Sequence, residues 1–242
     1  MLLKDNFSYL AAMKPYVICH MMCSVDGRIL TETWGNPKGR SLYEPIGNQY
    51  KVKTWMSGRV TMERDFAGKR PLKLKPTGKT IPKVDHVADP KARSFAIAID
   101  REGKLNWQRG EIEGDHIISV LSEQVSTEYL VHLQEKGISY IFGGRSEIDF
   151  SKILEKLNKL FGIKKLMLEG GGNLNGSFMR AGLIDELSVL YLPLADGTAG
   201  APSLFDLAPG HRRKASKLRL LSVKKLQHDV LRRRKDPDRD LG

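Results

Sequence analysis

The sequence predicts an α/β fold with a largely parallel sheet covered by helices on both faces. Two observations carry that prediction. Short apolar runs alternate with segments whose apolar residues recur at i, i+3 and i+4, the pattern of buried strands joined by amphipathic helices. Glycines stand where several of those runs give way to the next element. A chain of 242 residues is long enough for one large domain of this kind.

Tyr16 to Met22 reads as the first strand, and Ser24-Val25-Asp26-Gly27 as the turn after it, because Asp-Gly tolerates positive φ. Tyr43 to Thr54 reads as a helix, followed by a short strand at Trp55-Met56-Ser57. Gly58-Arg59-Val60-Thr61 ends that strand, and a helix is expected from Thr61 to Phe66. Residues 68–93 form a long loop with four prolines (Pro71, Pro76, Pro82, Pro90) and many lysines. Strands are expected at Ala96–Ile99, His116–Leu121 and Ser139–Phe142, with a helix over Ser126–Lys136. Phe150, Ile153, Leu154, Leu157, Leu160 and Phe161 mark the clearest amphipathic helix, and Gly162 sits where a left-handed C-cap belongs. The run Ile163–Leu168 is a buried strand, Leu174–Ala181 a helix capped by Gly182, and Glu186–Leu192 a further strand. Leu218–Val223 and one more segment complete the strands.

Composition narrows the class. Apolar residues make up 40% and charged residues 28%, as in water-soluble globular chains. No run of about 18 apolar residues suggests a membrane span, and the first 15 residues lack the apolar core of a secretory leader. The two cysteines, Cys19 and Cys23, lie in one strand and its end, so they build no disulfide framework; a reducing, cytoplasmic location is expected. No Cys/His cluster has zinc spacing, and no metal is expected. The net charge is +12, but residues 211–242 hold 12 Lys and Arg against 4 Asp and Glu, so most of the excess is terminal. Arg232-Arg233-Arg234-Lys235 reads as a solvated end rather than a nucleic-acid surface, because no aromatic residues are interleaved for base stacking.

Glu169-Gly170-Gly171-Gly172-Asn173-Leu174, between a strand and a helix, points most directly to chemistry. Glycines let a backbone approach a ligand closely, and the free N–H groups of a helix start favour an anion, so the stretch reads as a phosphate cradle. A ligand-free tight turn is the alternative. Gly58-Arg59-x-Thr61 offers a second helix start with a hydroxyl and a guanidinium; equally, Thr61 is an N-cap and Arg59 a surface residue. Neither stretch matches the usual dinucleotide or P-loop glycine fingerprints.

The motifs Ser24-Val25-Asp26-Gly27, Gly58-Arg59-x-Thr61-x-x-x-Asp65, Leu168-Glu169-Gly170-Gly171-Gly172 and Ala181-Gly182-Leu183-Ile184-Asp185-Glu186 follow one another in a fixed order, with Pro193, Gly197 and Leu204-Phe205 after them. Over roughly Pro15 to Val223 this resembles the reductase domain of riboflavin biosynthesis, a member of the dihydrofolate-reductase-like superfamily. The resemblance implies a single domain around a mixed sheet, at 13–230, with an N-terminal extension at 1–12, a basic tail at 231–242 and a homodimeric assembly. It implies NADPH-dependent hydride transfer to the ribosyl C1′ of a ribosylamino-pyrimidinone 5′-phosphate. It also implies that Gly58, Arg59, Thr61, Asp65, Glu169, Gly170, Gly171, Gly172, Asn173 and Leu174 meet the cofactor. Asp26 matches the acid beside substrate and nicotinamide, and Ser24 a substrate contact. From the residues alone, Asp26 at a strand end could be raised in pKa and relay a proton, could bond substrate hydroxyls, or could only make the turn. Lys73 and Lys75 in the long loop could clamp the substrate phosphate or simply face solvent.

The chain departs from the family where Phe66-Ala67-Gly68 follows Asp65 in place of an Asn-Pro, and it lacks the H-x-E and P-C-x-x-C motifs of the zinc deaminase form. Two other readings stand beside the first: a reductase of the same fold acting on a pterin or another small carbonyl or imine, and a non-enzymatic nucleotide- or RNA-binding protein using the basic tail.

Overall fold

The structure is a computed structural model that describes residues 14–78, 80–207 and 215–237. The extension 1–12 and the last residues, 238–242, lie outside the described part. In chain order the elements are β1 (Tyr16–Cys23), α1 (Tyr43–Asn48), β2 (Thr54–Gly58), α2 (Arg59–Asp65), β3 (Phe95–Ile99), β4 (Glu111–Ile112), β5 (Asp115–Ser122), α3 (Thr127–Glu135), β6 (Ser139–Gly144), α4 (Phe150–Phe161), β7 (Lys165–Leu168), α5 (Gly172–Arg180), β8 (Glu186–Tyr191), β9 (Leu218–Lys225) and β10 (Leu231–Pro237). The described residues fall into two compact units, 14–15 with 53–166, and 16–52 with 167–237.

In the first unit β2, β3, β5 and β6 run parallel, and β4 folds back antiparallel on the start of β5. Phe95–Ile99 is wholly apolar because both its faces are covered. Ala96 and Ala98 face a cluster with Met62 of α2 and Tyr129, Leu130 and Leu133 of α3, while Phe95 meets Phe161 of α4 edge-on at 5.7 Å. Ser126 caps α3 through the amide of Tyr129, Asp149 caps α4 through Ser151 and Lys152, and Gly162 closes α4 at φ 66°. Residues 68–93 are not a free excursion. Leu72, Leu74 and Ile81 pack on the same cluster, and His86 bridges Tyr140.

In the second unit β1 runs parallel to β8, β8 antiparallel to β10, and β10 antiparallel to β9, so the sheet is mixed. Ile46, Leu190, Leu192 and Val230 form the core under α1.

Three expectations need correction. The first helix stops at Asn48 rather than Thr54, because the chain turns through Lys51 at φ 51° and the next strand already begins at Thr54. The helix expected from Thr61 starts at Arg59, with Gly58 as its N-cap. The basic run is not a solvated end over 231–237. It is strand β10, hydrogen-bonded on both sides. Alternation sends Arg232 and Arg234 toward Tyr50, at 5.5 and 5.8 Å from its ring, and Arg233 over Tyr191 at 5.2 Å. Arg234 also donates to the buried Glu186 at 2.6 Å, and Arg232 to Gln49 at 3.0 Å. These guanidinium groups are engaged within the fold, which removes the main support for nucleic-acid binding by this run.

Asp100, the residue after β3, is fully buried. Its carboxylate accepts the amides of Lys104 (2.9 Å) and Leu105 (3.0 Å) and the hydroxyl of Tyr129 (2.5 Å). Asp100→Ala strands three donors in the core and is expected to cost about 3 kcal/mol or more in urea unfolding; a loss below about 1 kcal/mol would show that water replaces the carboxylate.

Candidate active site

The chain leaves β7 at Leu168, passes Glu169 and Gly170, and enters α5 through Gly171, its N-cap at φ 82°. Among the described residues no side chain caps this helix. The first-turn amides of Gly172, Asn173 and Leu174 therefore stay available to an anion, which the helix dipole also favours.

The consecutive glycines have different reasons. A Cβ on Gly172 would lie 2.3 Å from Asp206 Oδ2 and 2.4 Å from the Ser203 carbonyl, and one on Gly176, a turn later, 1.8 Å from the Asp206 carbonyl. Gly172 and Gly176 thus form a bare stripe on which residues 203–206 lie directly. A Cβ on Gly170 would meet the Asn175 Oδ1 at 2.2 Å. Gly171 alone has nothing within 4 Å and needs its glycine for conformation. Protein therefore fills the space beside the α-carbons of Gly170 and Gly172, while the side of Gly171 and the first-turn amides stay open. Leu174 buries its side chain in the core and Asn173 is exposed. Asn175 was missed in the sequence. It is fully buried, donates Nδ2 to the Leu204 carbonyl at 3.0 Å, and has no donor for Oδ1 among the described residues.

Glu169 is partly buried beside this loop and receives no hydrogen bond from a described residue. Burial, and then the charge of Glu44 on α1, push its carboxyl up to about 8. It is therefore mostly protonated at neutral pH.

Asp26 behaves in the opposite way. Its oxygens accept the amides of Asp196 (2.9 Å) and Gly197 (3.0 Å). Those amides and the Ser24 hydroxyl hold the carboxyl well below the usual carboxylate range. These donors favour the ionised form, so the surroundings lend no support to the reading in which the carboxyl is raised. Ser24 is fully buried, with Oγ accepting the Arg28 amide at 2.9 Å, so it has no face for a substrate.

In the other unit, Gly58 is the last residue of β2 and Arg59 the first of α2. Arg59 is ion-paired with Glu63 one turn along α2, Thr61 lies in the helix's first turn rather than at its cap, and Asp65 pairs with Arg64 at 2.8 Å. Lys73 and Lys75 are exposed on a segment held down by Leu72 and Leu74.

A mixed sheet flanked by helices, with an open glycine-marked helix start at a strand end, defines a dihydrofolate-reductase-like α/β protein. The chain belongs to the RibD C-terminal domain family, whose model matches residues 15–232. It is 28% identical over 207 residues to the 2,5-diamino-6-ribosylamino-4(3H)-pyrimidinone 5′-phosphate reductase of Aquifex aeolicus, covering 79% of this chain and 82% of that protein. Acinetobacter baumannii RibD shares the fold at a TM-score of 0.65 and 20% identity; the match covers 97% of this chain but spans 62% of that longer one. Saccharomyces cerevisiae riboflavin biosynthesis reductase Rib7 matches at a TM-score of 0.62 and 15% identity, over 98% of this chain and 99% of its own.

The glycine assignments separate by stability. Gly176→Ala drives a methyl into the Asp206 carbonyl and is expected to lower Tm by about 10 °C or more. Gly171→Ala meets no atom and carries only a backbone cost of about 1 kcal/mol. Equal losses in calorimetry would refute the different roles.

Proposed function

We propose that this protein is an NADPH-dependent reductase that transfers a hydride to the ribosyl C1′ of a ribosylamino-pyrimidinone 5′-phosphate in riboflavin biosynthesis. Membership of the RibD C-terminal domain family and the reductase name of the Aquifex aeolicus relative support the reaction class. The observation that carries the mechanism is Glu169, a carboxyl kept protonated beside an uncapped helix start.

The residues present fit a dinucleotide. Gly171 leaves open space, and the amides of Gly172, Asn173 and Leu174 suit a pyrophosphate without a competing side-chain cap. A reduced nicotinamide, when bound, supplies the hydride. The chain's part is to complete the proton balance: as a C–H bond forms at C1′ of the open-chain imine and the C=N π bond breaks, Glu169 gives its proton to the imine nitrogen and is reprotonated from solvent. Asp26 then acts as an anchor for the 196–197 backbone rather than as the acid. Gly58, Arg59, Thr61 and Asp65 as cofactor contacts, and Lys73 and Lys75 as phosphate contacts, are part of the proposal on the resemblance. For Arg59 and Asp65 this requires exchange of their present ion pairs. A cytoplasmic homodimer is likewise proposed. The free thiols of Cys19 and Cys23 accord with a reducing compartment, and the described residues contain no helix long and apolar enough to cross a membrane.

Titration with NADPH and with NADH tests the reading: NADPH should bind the tighter, and failure to bind either would dispose of it. Glu169→Gln should keep the cofactor Kd within about threefold and lower kcat about 100-fold or more. The wild-type kcat should fall as pH rises through about 8, where Glu169 loses its proton; an unchanged kcat in the variant would remove Glu169 as the acid.

The same group sets a stability trend. A carboxyl whose folded pKa is raised stabilises the fold fully below its unfolded value near 4.5, and that contribution is lost as pH rises through about 8. Relative to Glu169→Gln, the wild type should lose a few kcal/mol across that window; parallel stability curves for the two proteins would contradict the burial of this acid.

A further inference from the structure

We propose that Asp196 and Trp34 are positioning residues for the reaction, joined with Asp26 in a reciprocal clasp that sets the glycine helix in place. The clasp links the loop after β1 to the loop after β8, with a carboxylate reaching across in each direction. Asp26 of the first loop accepts the amides of Asp196 and Gly197 in the second. Asp196 of the second loop accepts the Trp34 indole Nε1 of the first at 2.5 Å and the Thr33 hydroxyl at 3.3 Å. Its other oxygen accepts the Thr198 amide at 3.0 Å, which fixes the carboxylate within its own loop.

Beyond the clasp the two loops stay laced. The amide of Val25 donates to the Leu194 carbonyl (2.8 Å), Ile29 to Pro202 (3.2 Å) and Leu204 to Gly27 (3.1 Å), while the Arg28 guanidinium donates to the Ala201 carbonyl at 2.6 Å. The second loop then ends on α5. The Asp206 amide donates to the Gly172 carbonyl at 2.9 Å, and the Asp206 carbonyl lies against Gly176. Closely packed backbone has little room to yield, so displacement of one loop is carried to the helix start. Trp34 and Asp196 touch neither the glycine loop nor Glu169 through any of these bonds. They act through the 201–206 segment. Neither was among the residues singled out from the sequence, because an exposed Trp-Gly loop and an Asp-Gly turn look like ordinary surface.

Hydrogen exchange tests the clasp without any ligand, using Trp34→Phe, Asp196→Ala, Asp196→Asn and the Trp34→Phe/Asp196→Ala pair in the full chain. Trp34→Phe keeps an aromatic body and removes one donor, so it is the variant least able to unfold the protein. It should speed exchange at the amides of residues 196 and 197, and at the bonded amides of residues 204 and 206, by about tenfold, with Tm nearly unchanged. Asp196→Ala should do the same, Asp196→Asn less, since it keeps an acceptor, and the pair no more than either alone. No acceleration at 196–197 in Trp34→Phe, or additive effects in the pair, would overturn the clasp. A second arm rests on the function proposed above: Trp34→Phe should raise the cofactor KM about fivefold with kcat within twofold, a split that simple loss of stability would not produce. Because exchange needs no ligand, it decides the clasp even if the wild type binds no nicotinamide nucleotide.

Discussion

The second unit depends on one close approach, the seating of residues 203–206 on the bare stripe of α5. Two glycines a turn apart bring a loop backbone to where a β-carbon would stand. That contact puts a rigid segment beside the first turn of the helix without capping it, so the helix keeps its open amides while its position is fixed. Asn175 reinforces the arrangement by reaching from the same helix to the Leu204 carbonyl. A side chain at Gly172 or Gly176 would separate the loop from the helix, and with it the turn after β1 that the loop holds.

The acids of this protein show how surroundings assign roles to one functional group. Glu169 lies partly buried, near another carboxyl and without a donor, so its neutral form is favoured. Asp26 is exposed but surrounded by donors, so its charge is favoured. Asp100 is fully buried yet supplied with amides and a hydroxyl, and Glu186 is buried against Arg234 and Tyr50. Asp26, Asp100 and Glu186 each accept hydrogen bonds from groups distant in sequence.

The basic run Arg232–Lys235 shows how composition misleads. Four consecutive cations look like a solvated tail because their partners are not local. Tyr50, Gln49 and Glu186 are far away in the chain, and Tyr191 belongs to another strand. Once strand alternation divides the arginines between two faces, aromatic rings and one buried carboxylate receive them. The lysine-rich segment around Lys73 and Lys75 is a milder case, since interleaved leucines hold it to the core while the lysines remain exposed.

What the sequence determined by itself was local or periodic. The order of strands and helices followed from apolar spacing, the end of α4 from Gly162, and the location of the glycine stretch from its place between a buried strand and a helix. The family resemblance likewise rested on motifs readable in order along the chain. Only tertiary structure decided which glycines meet protein and which remain open, because that depends on residues 203–206 returning to α5. It also decided that Asp26 receives two backbone amides from a distant loop, and that Arg232–Lys235 lies within a strand. These outcomes rest on burial, on hydrogen-bond donors and on ring faces supplied by segments distant in sequence, and no local pattern of residue types encodes which distant segment will supply them.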